Sequence, residues 1–126
     1  MQERKAIVTN RAGSYSRICP ATVERDKGTV TIKVNLSEFP KGEGDDLSIH
    51  LIDPKLDREE FRKRQDAHAY VSIVYVWRGR LQSIMGTLCA SDFDPSTVCM
   101  YDHVGAFLGG INFSEIVSWE ECARPR

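Results

Sequence analysis

Tyr70-Val-Ser-Ile-Val-Tyr-Val-Trp77, then Arg78-Gly79-Arg80, then Leu81-Gln-Ser-Ile-Met-Gly-Thr-Leu-Cys89, is the stretch that decides the fold. In the first run Val71, Ile73, Tyr75 and Trp77 alternate with Tyr70, Ser72, Val74 and Val76, so both faces are largely apolar. A strand buried on both sides belongs at the centre of a sheet or in a closed barrel. The Arg-Gly-Arg triplet turns the chain and the second run returns. Gly86 inside that run predicts the bend or bulge that barrel corners require.

Working outward toward the C-terminus, Asp94-Pro-Ser-Thr97 has the composition of a type I turn. A short strand is predicted from Thr97 to Tyr101. Asp102 to Gly110 reads as a glycine-containing loop carrying Val104, Phe107 and Leu108. Ile111 to Trp119 reads as the closing strand, and Glu120 to Arg126 as a polar tail.

Toward the N-terminus, Asp53-Pro54 suits a helix start, and Asp57-Arg-Glu-Glu60, which resembles a capping box, is a second possible cap. The helix should run to about His68, with Leu56, Phe61 and Ala67 as its narrow apolar stripe. Pro40 to Asp46 reads as a linker before a strand over Leu47–Ile52. Earlier still, Lys5 to Thr9 is a modest strand, broken by Arg11 to Ser14. Ala21–Arg25 and Thr29–Leu36 flank Asp26-Lys27-Gly28, a hairpin signal. Val30, Ile32, Val34 and Leu36 share a face, which the alternation predicts to be buried.

The expected fold class is therefore mainly β with one helix: a small bent sheet or SH3/Sm-like barrel preceded by an N-terminal β-hairpin region. One domain is expected over residues 1–126. It divides into the hairpin region (1–46), a strand and charged helix (47–68), the sheet (69–119) and the tail (120–126).

Residues 54–119 carry a further pattern: a charged helix, then short strands containing Val71-x-Ile73-x-Tyr75-x-Trp77-x-Gly79. Gly86-x-Leu88-x-x-x-Asp92 follows, and the segment ends in Ile111-x-Phe113-x-x-Ile116-x-x-Trp119. This pattern resembles the YolD-like family and, more broadly, the Sm-like small barrels, in which a helix precedes a bent five-stranded sheet. The resemblance implies a protein of bacterial mobile elements or phages, with accessory roles beside error-prone DNA polymerases. The Asn that follows the Asp in Sm proteins, and contacts RNA there, is absent, with Ser96 near its place. The family's N-terminal M-L-P-x-H type segment is replaced by the β-rich residues 1–46.

The 126 residues are 41% hydrophobic and 28% charged, with a net charge of −1, which suits a globular protein and not a bulk electrostatic nucleic-acid binder. Neither a phosphate loop nor a G-x-S-x-G or H-E-x-x-H motif occurs. Cys19, Cys89, Cys99 and Cys122 lack metal-ligand spacing and read as buried thiols in preference to a disulfide or metal role. No cofactor or metal is expected. The absence of a leader or of a long apolar run gives the expectation of a cytoplasmic protein without a membrane partner.

Chemistry then narrows to surfaces. Trp77, Arg78 and Arg80, with Tyr75 beside them, combine the residue types of protein-binding hot spots and of base-stacking sites. Arg62 and Arg64 add a basic ridge on the helix, balanced by acids. Phe107 and Leu108 are either a plug over a barrel end or an exposed anchor. The reading favoured is a non-enzymatic adaptor or inhibitor acting on a protein partner. An Sm-like RNA or single-stranded DNA module is the alternative, and a homo-oligomer is compatible with both. A metal-dependent enzyme using Asp92 and Asp94 is the third reading, and Cys99 with His103 as a nucleophile and base is a fourth arrangement.

Overall fold

A computed structural model of the chain describes residues 2–10, 16–37 and 47–125. Of these, 61% lie in strands. The element order is β1 (Gln2–Asn10), β2 (Ser16–Asp26), β3 (Thr29–Val34), β4 (Leu47–Leu51), α1 (Arg58–Asp66), β5 (Tyr70–Trp77), β6 (Arg80–Ala90), β7 (Thr97–Tyr101), β8 (Phe107–Asn112) and β9 (Ile116–Glu121). The chain falls into two compact units, residues 1–54 with 76–80, and residues 55–75 with 81–126.

The first unit is built on an antiparallel sheet ordered β3-β2-β1-β4. The hairpin expected around Lys27-Gly28 is there, with φ of +44° and +82° at these two residues. Positive φ at both central positions is what a two-residue type I′ turn needs, and glycine supplies the second without steric cost. Ala6, Ile7 and Val8 are fully buried, and Val34 and Leu47 pack against Val8 and Cys19. One expectation fails here. Leu36, past the end of β3, is 40% exposed, and Val30 and Ile32, also read as buried, are 54% and 44% exposed. The latter two sit on the edge strand, two strands out from β1, and alternation fixes which residues share a face, not whether that face is covered. The Arg11–Ser14 break and the Pro40–Asp46 linker lie outside the described residues.

The second unit carries a five-stranded sheet ordered β8-β7-β6-β5-β9, curled into a half-barrel. Helix α1 starts where the capping-box reading put it: both Glu59 N–H and Glu60 N–H donate to Asp57 Oδ1, at 2.9 and 3.2 Å. It ends in a Schellman motif, with Ala69 N–H donating to Arg64 O and His68 N–H to Gln65 O. His68 takes the left-handed position of that motif at φ +53°, where glycine is usual. Of the expected apolar stripe Phe61 is fully buried, Leu56 packs against the core from just before the helix, and Ala67 is exposed.

The core gathers Phe61, Val71, Ile73, Leu88, Met100, Ile111 and Ile116. The closing motif works through three elements. Ile111 is on β8, Phe113 on a 3-10 turn (Phe113–Glu115), and Ile116 and Trp119 on β9; all four reach this core. Gly86 is buried because Tyr101 O of β7 comes within 2.5 Å of where its Cβ would stand. Register shifts occur at Val74/Tyr75 between β5 and β9 and at Met100/Tyr101 between β7 and β8. The loop expected over Asp102–Gly110 ends early: Phe107 already belongs to β8, which pairs with β7. Gly109 and Gly110 misled the reading: Gly109 has open space around it and a φ of +154°, whereas Gly110 stands in a crowded place on the strand. A Cβ on Gly110 would meet Thr97 Cγ2 at 3.1 Å.

Candidate binding surface

Strands β5 and β6 are joined by the two residues Arg78 and Gly79, at φ +50° and +78°. This is the same positive-φ turn as at Lys27-Gly28, but with arginine in the first place. Trp77 and Arg80 stand on either side of it, so the hairpin itself brings the expected trio together. Trp77 is 52% exposed, and both arginines are exposed. The Arg78 guanidinium lies 5.5 Å from the centroid of the Trp77 ring, within cation–π range. Tyr75 is half-buried and packs against the core of the second unit.

Arg62 and Arg64 lie on α1 and are engaged there. Arg62 Nη2 donates to Pro95 O at 2.8 Å, while Arg64 is 3.1 Å from Glu60 and 3.3 Å from Glu121. The helix ridge is thus partly neutralised by its own acids. Phe107 and Leu108 are exposed on β8, and the Phe107 ring meets Tyr101 edge-on at 5.4 Å.

Asp94 does the work of a turn cap. Its Oδ1 accepts from Ser96 N–H and Ser96 Oγ–H, and its Oδ2 from Thr97 Oγ–H. Both carboxylate oxygens are therefore occupied, and no group of three or more His, Cys, Asp and Glu positioned for a metal occurs among the described residues. The Ser96 hydroxyl, then the Ser96 amide and the Thr97 hydroxyl, hold the Asp94 carboxyl below its ordinary value of 3.8. A carboxyl whose pKa is depressed on folding stabilises the fold above its unfolded pKa and loses that contribution as pH falls through the folded one. The expected result is an Asp94 carboxyl titration midpoint below 3.8 by NMR, with the turn amides reporting the same midpoint. An ordinary midpoint would remove this account of the turn.

A second feature escaped the sequence. A hollow of about 310 Å³ in the second unit is lined by Thr87, Cys89, Tyr101, Asp102, His103 and Arg124. The residue brought to a thiol is His68 and not His103: its Nδ1 is 3.6 Å from Cys89 Sγ and 3.3 Å from Leu88 O. Arg124 donates to Thr87 Oγ1 at 3.2 Å and to His68 O. The expected buried thiols divide: Cys19 is fully buried, whereas Cys89, Cys99 and Cys122 are half-buried and unbridged. Burial, then the neighbouring Cys99, push the Cys89 thiol above its ordinary range. One signal was available in the sequence: a histidine standing where a helix ends and glycine would be expected.

No helix among the described residues is long and apolar enough to cross a membrane. No family model, no curated protein and no solved structure matches this chain.

Proposed function

We infer that this chain is a non-enzymatic binding protein that acts on a protein partner through the end of the β5–β6 hairpin. The carrying observation is the half-exposed Trp77 with Arg78 over its ring, on a tight turn that fixes both. Tryptophan and arginine dominate binding hot spots because they bury large, stiff surfaces and donate hydrogen bonds on desolvation. A rigid turn lowers the ordering cost of presenting them.

The second unit we read as an Sm-like small barrel of the YolD-like kind. In support stand a helix before the strands, the order β8-β7-β6-β5-β9 and a 3-10 turn before β9. The same reading suggests an adaptor or inhibitor of a phage or other mobile element. Oligonucleotide binding is the second reading, since Trp77 and Arg78 also suit base stacking. Arg62 and Arg64 support it less, being engaged by Pro95, Glu60 and Glu121.

The test is affinity capture from the native host with wild type and with Trp77→Ala, Arg78→Ala and Arg80→Ala. Trp77→Ala is expected to weaken capture of a specific partner by roughly 30-fold or more, a loss of about 2 kcal/mol. An unchanged set of partners in all three variants would end the assignment of this surface. Salt-sensitive retention of oligonucleotides in place of protein would favour the second reading.

A further inference from the structure

We propose that Cys89 and Cys99 form a reversible cross-strand disulfide by exchange with a small anionic disulfide that enters the hollow beside Cys89. The two residues are direct partners in the β6–β7 register, and neither is fully buried. The site shares no residue with the Trp77 surface, so the two readings stand or fall separately.

The backbone ladder also says what kind of pair they are. Phe113 N–H donates to Ser96 O, which makes Thr97 and Asn112 a pair without mutual bonds. Two residues along, Cys99 and Gly110 are of the same kind, so the Cys99 amide and carbonyl point toward β6. Leu88 N–H donates to Ala69 O on the β5 side, so Cys89 points toward β7. Cys89 and Cys99 therefore bond to each other through their backbones, which sets their Cα atoms about 5.5 Å apart. That distance falls within the range of roughly 4.4–6.8 Å that a disulfide spans. The Cβ atoms of such a pair stand somewhat wider than a relaxed bridge prefers, so the bond draws the strands together and belongs to the easily reduced class.

His68 is placed to take the first proton. Its Nδ1 lies within reach of Cys89 Sγ, and after transfer the new N–H can donate to Leu88 O on the same side. A thiol held above its ordinary pKa by burial needs such a base to react near neutrality. Arg124 uses two of its donors on Thr87 and His68 O, which leaves others for a carboxylate of the incoming molecule. In the first step the Cys89 thiolate attacks the small disulfide, forming a mixed disulfide and releasing one thiolate, which recovers the proton from His68. In the second, Cys99 gives its proton to solvent, its thiolate attacks Cys89 Sγ, and the second thiolate leaves and is protonated. Two protein thiols are oxidised, and one small disulfide is reduced to two thiols.

The test uses reduced full-length protein with oxidised glutathione, read by intact mass and peptide mapping. Wild type should lose the mass of two hydrogen atoms and yield a Cys89–Cys99 peptide, reversed by reduced glutathione. Cys99→Ser should stop at a glutathione adduct on Cys89. His68→Gly, which suits the left-handed position and so keeps the helix end, should slow the first step by about tenfold or more. Arg124→Ala should slow reaction with oxidised glutathione by a larger factor than reaction with cystamine, a cationic disulfide; equal slowing of both would remove the role given to its free donors. Linkage through Cys19 or Cys122, or cross-linking only in denaturant, would overturn the proposal. So would a Cys99→Ser variant that reacts as wild type does, and wild-type mapping tests the bond even if a variant misfolds.

Discussion

Alanine at Phe61 is expected to cost about 3–5 kcal/mol of folding stability, the range for truncating a large buried aromatic, and to lie toward its top. Phe61 has no exposed surface and is the residue through which α1 joins the core. Its ring meets Phe113 edge-on at 5.2 Å and Trp119 at 5.5 Å. Each such aromatic contact adds about 0.5–1.5 kcal/mol beyond area burial. Truncation therefore loses the transfer energy of the ring, two aromatic contacts and the packing around a new cavity. Against a total of about 5–15 kcal/mol for an ordinary domain, this is a large share. Urea denaturation should show a lowered midpoint, with Phe61→Leu between wild type and alanine. A loss under about 1.5 kcal/mol would mean that the helix does not dock as described.

How much of this was legible in the sequence varies with the range of the interaction. Strands β5, β6 and β7 could be read almost residue by residue, because alternation and turn composition are local. The cap at Asp57 was equally local, and there the structure selects Asp57 over Asp53. The exposure of Val30 and Ile32 could not be read, since cover over an edge strand comes from elsewhere in the chain. Strand β8 was hidden because Gly109 and Gly110 look like loop residues, although a Cβ on Gly110 would press on the Thr97 methyl of the neighbouring strand. The trio Trp77, Arg78 and Arg80 was found because a hairpin assembles it from neighbours. The group around Cys89 was missed because His68, Cys99 and Arg124 come from three separate elements, and only the fold brings them together.

Gly86→Ala gives the other large effect, expected at about 3 kcal/mol or more. The backbone at Gly86 is not left-handed, so the cost is not conformational. It is steric: the new Cβ would lie 2.5 Å from Tyr101 O and 3.1 Å from Leu108 Cδ1. The leucine can turn aside, but the carbonyl is held in the β7 ladder and moves only if the strand does. Overpacking of a dense interior costs about 1–3 kcal/mol where side chains can adjust, and more where backbone must shift. Two comparisons separate the causes. Gly28→Ala, at φ +82° with open space around it, should cost about 1–2 kcal/mol, the price of a left-handed alanine. Adding Leu108→Ala to Gly86→Ala should recover little, because the Tyr101 carbonyl remains. If the double variant regained wild-type stability, the close approach of β6 and β7 at this point would be wrong, and with it the reason the curled sheet carries a glycine there.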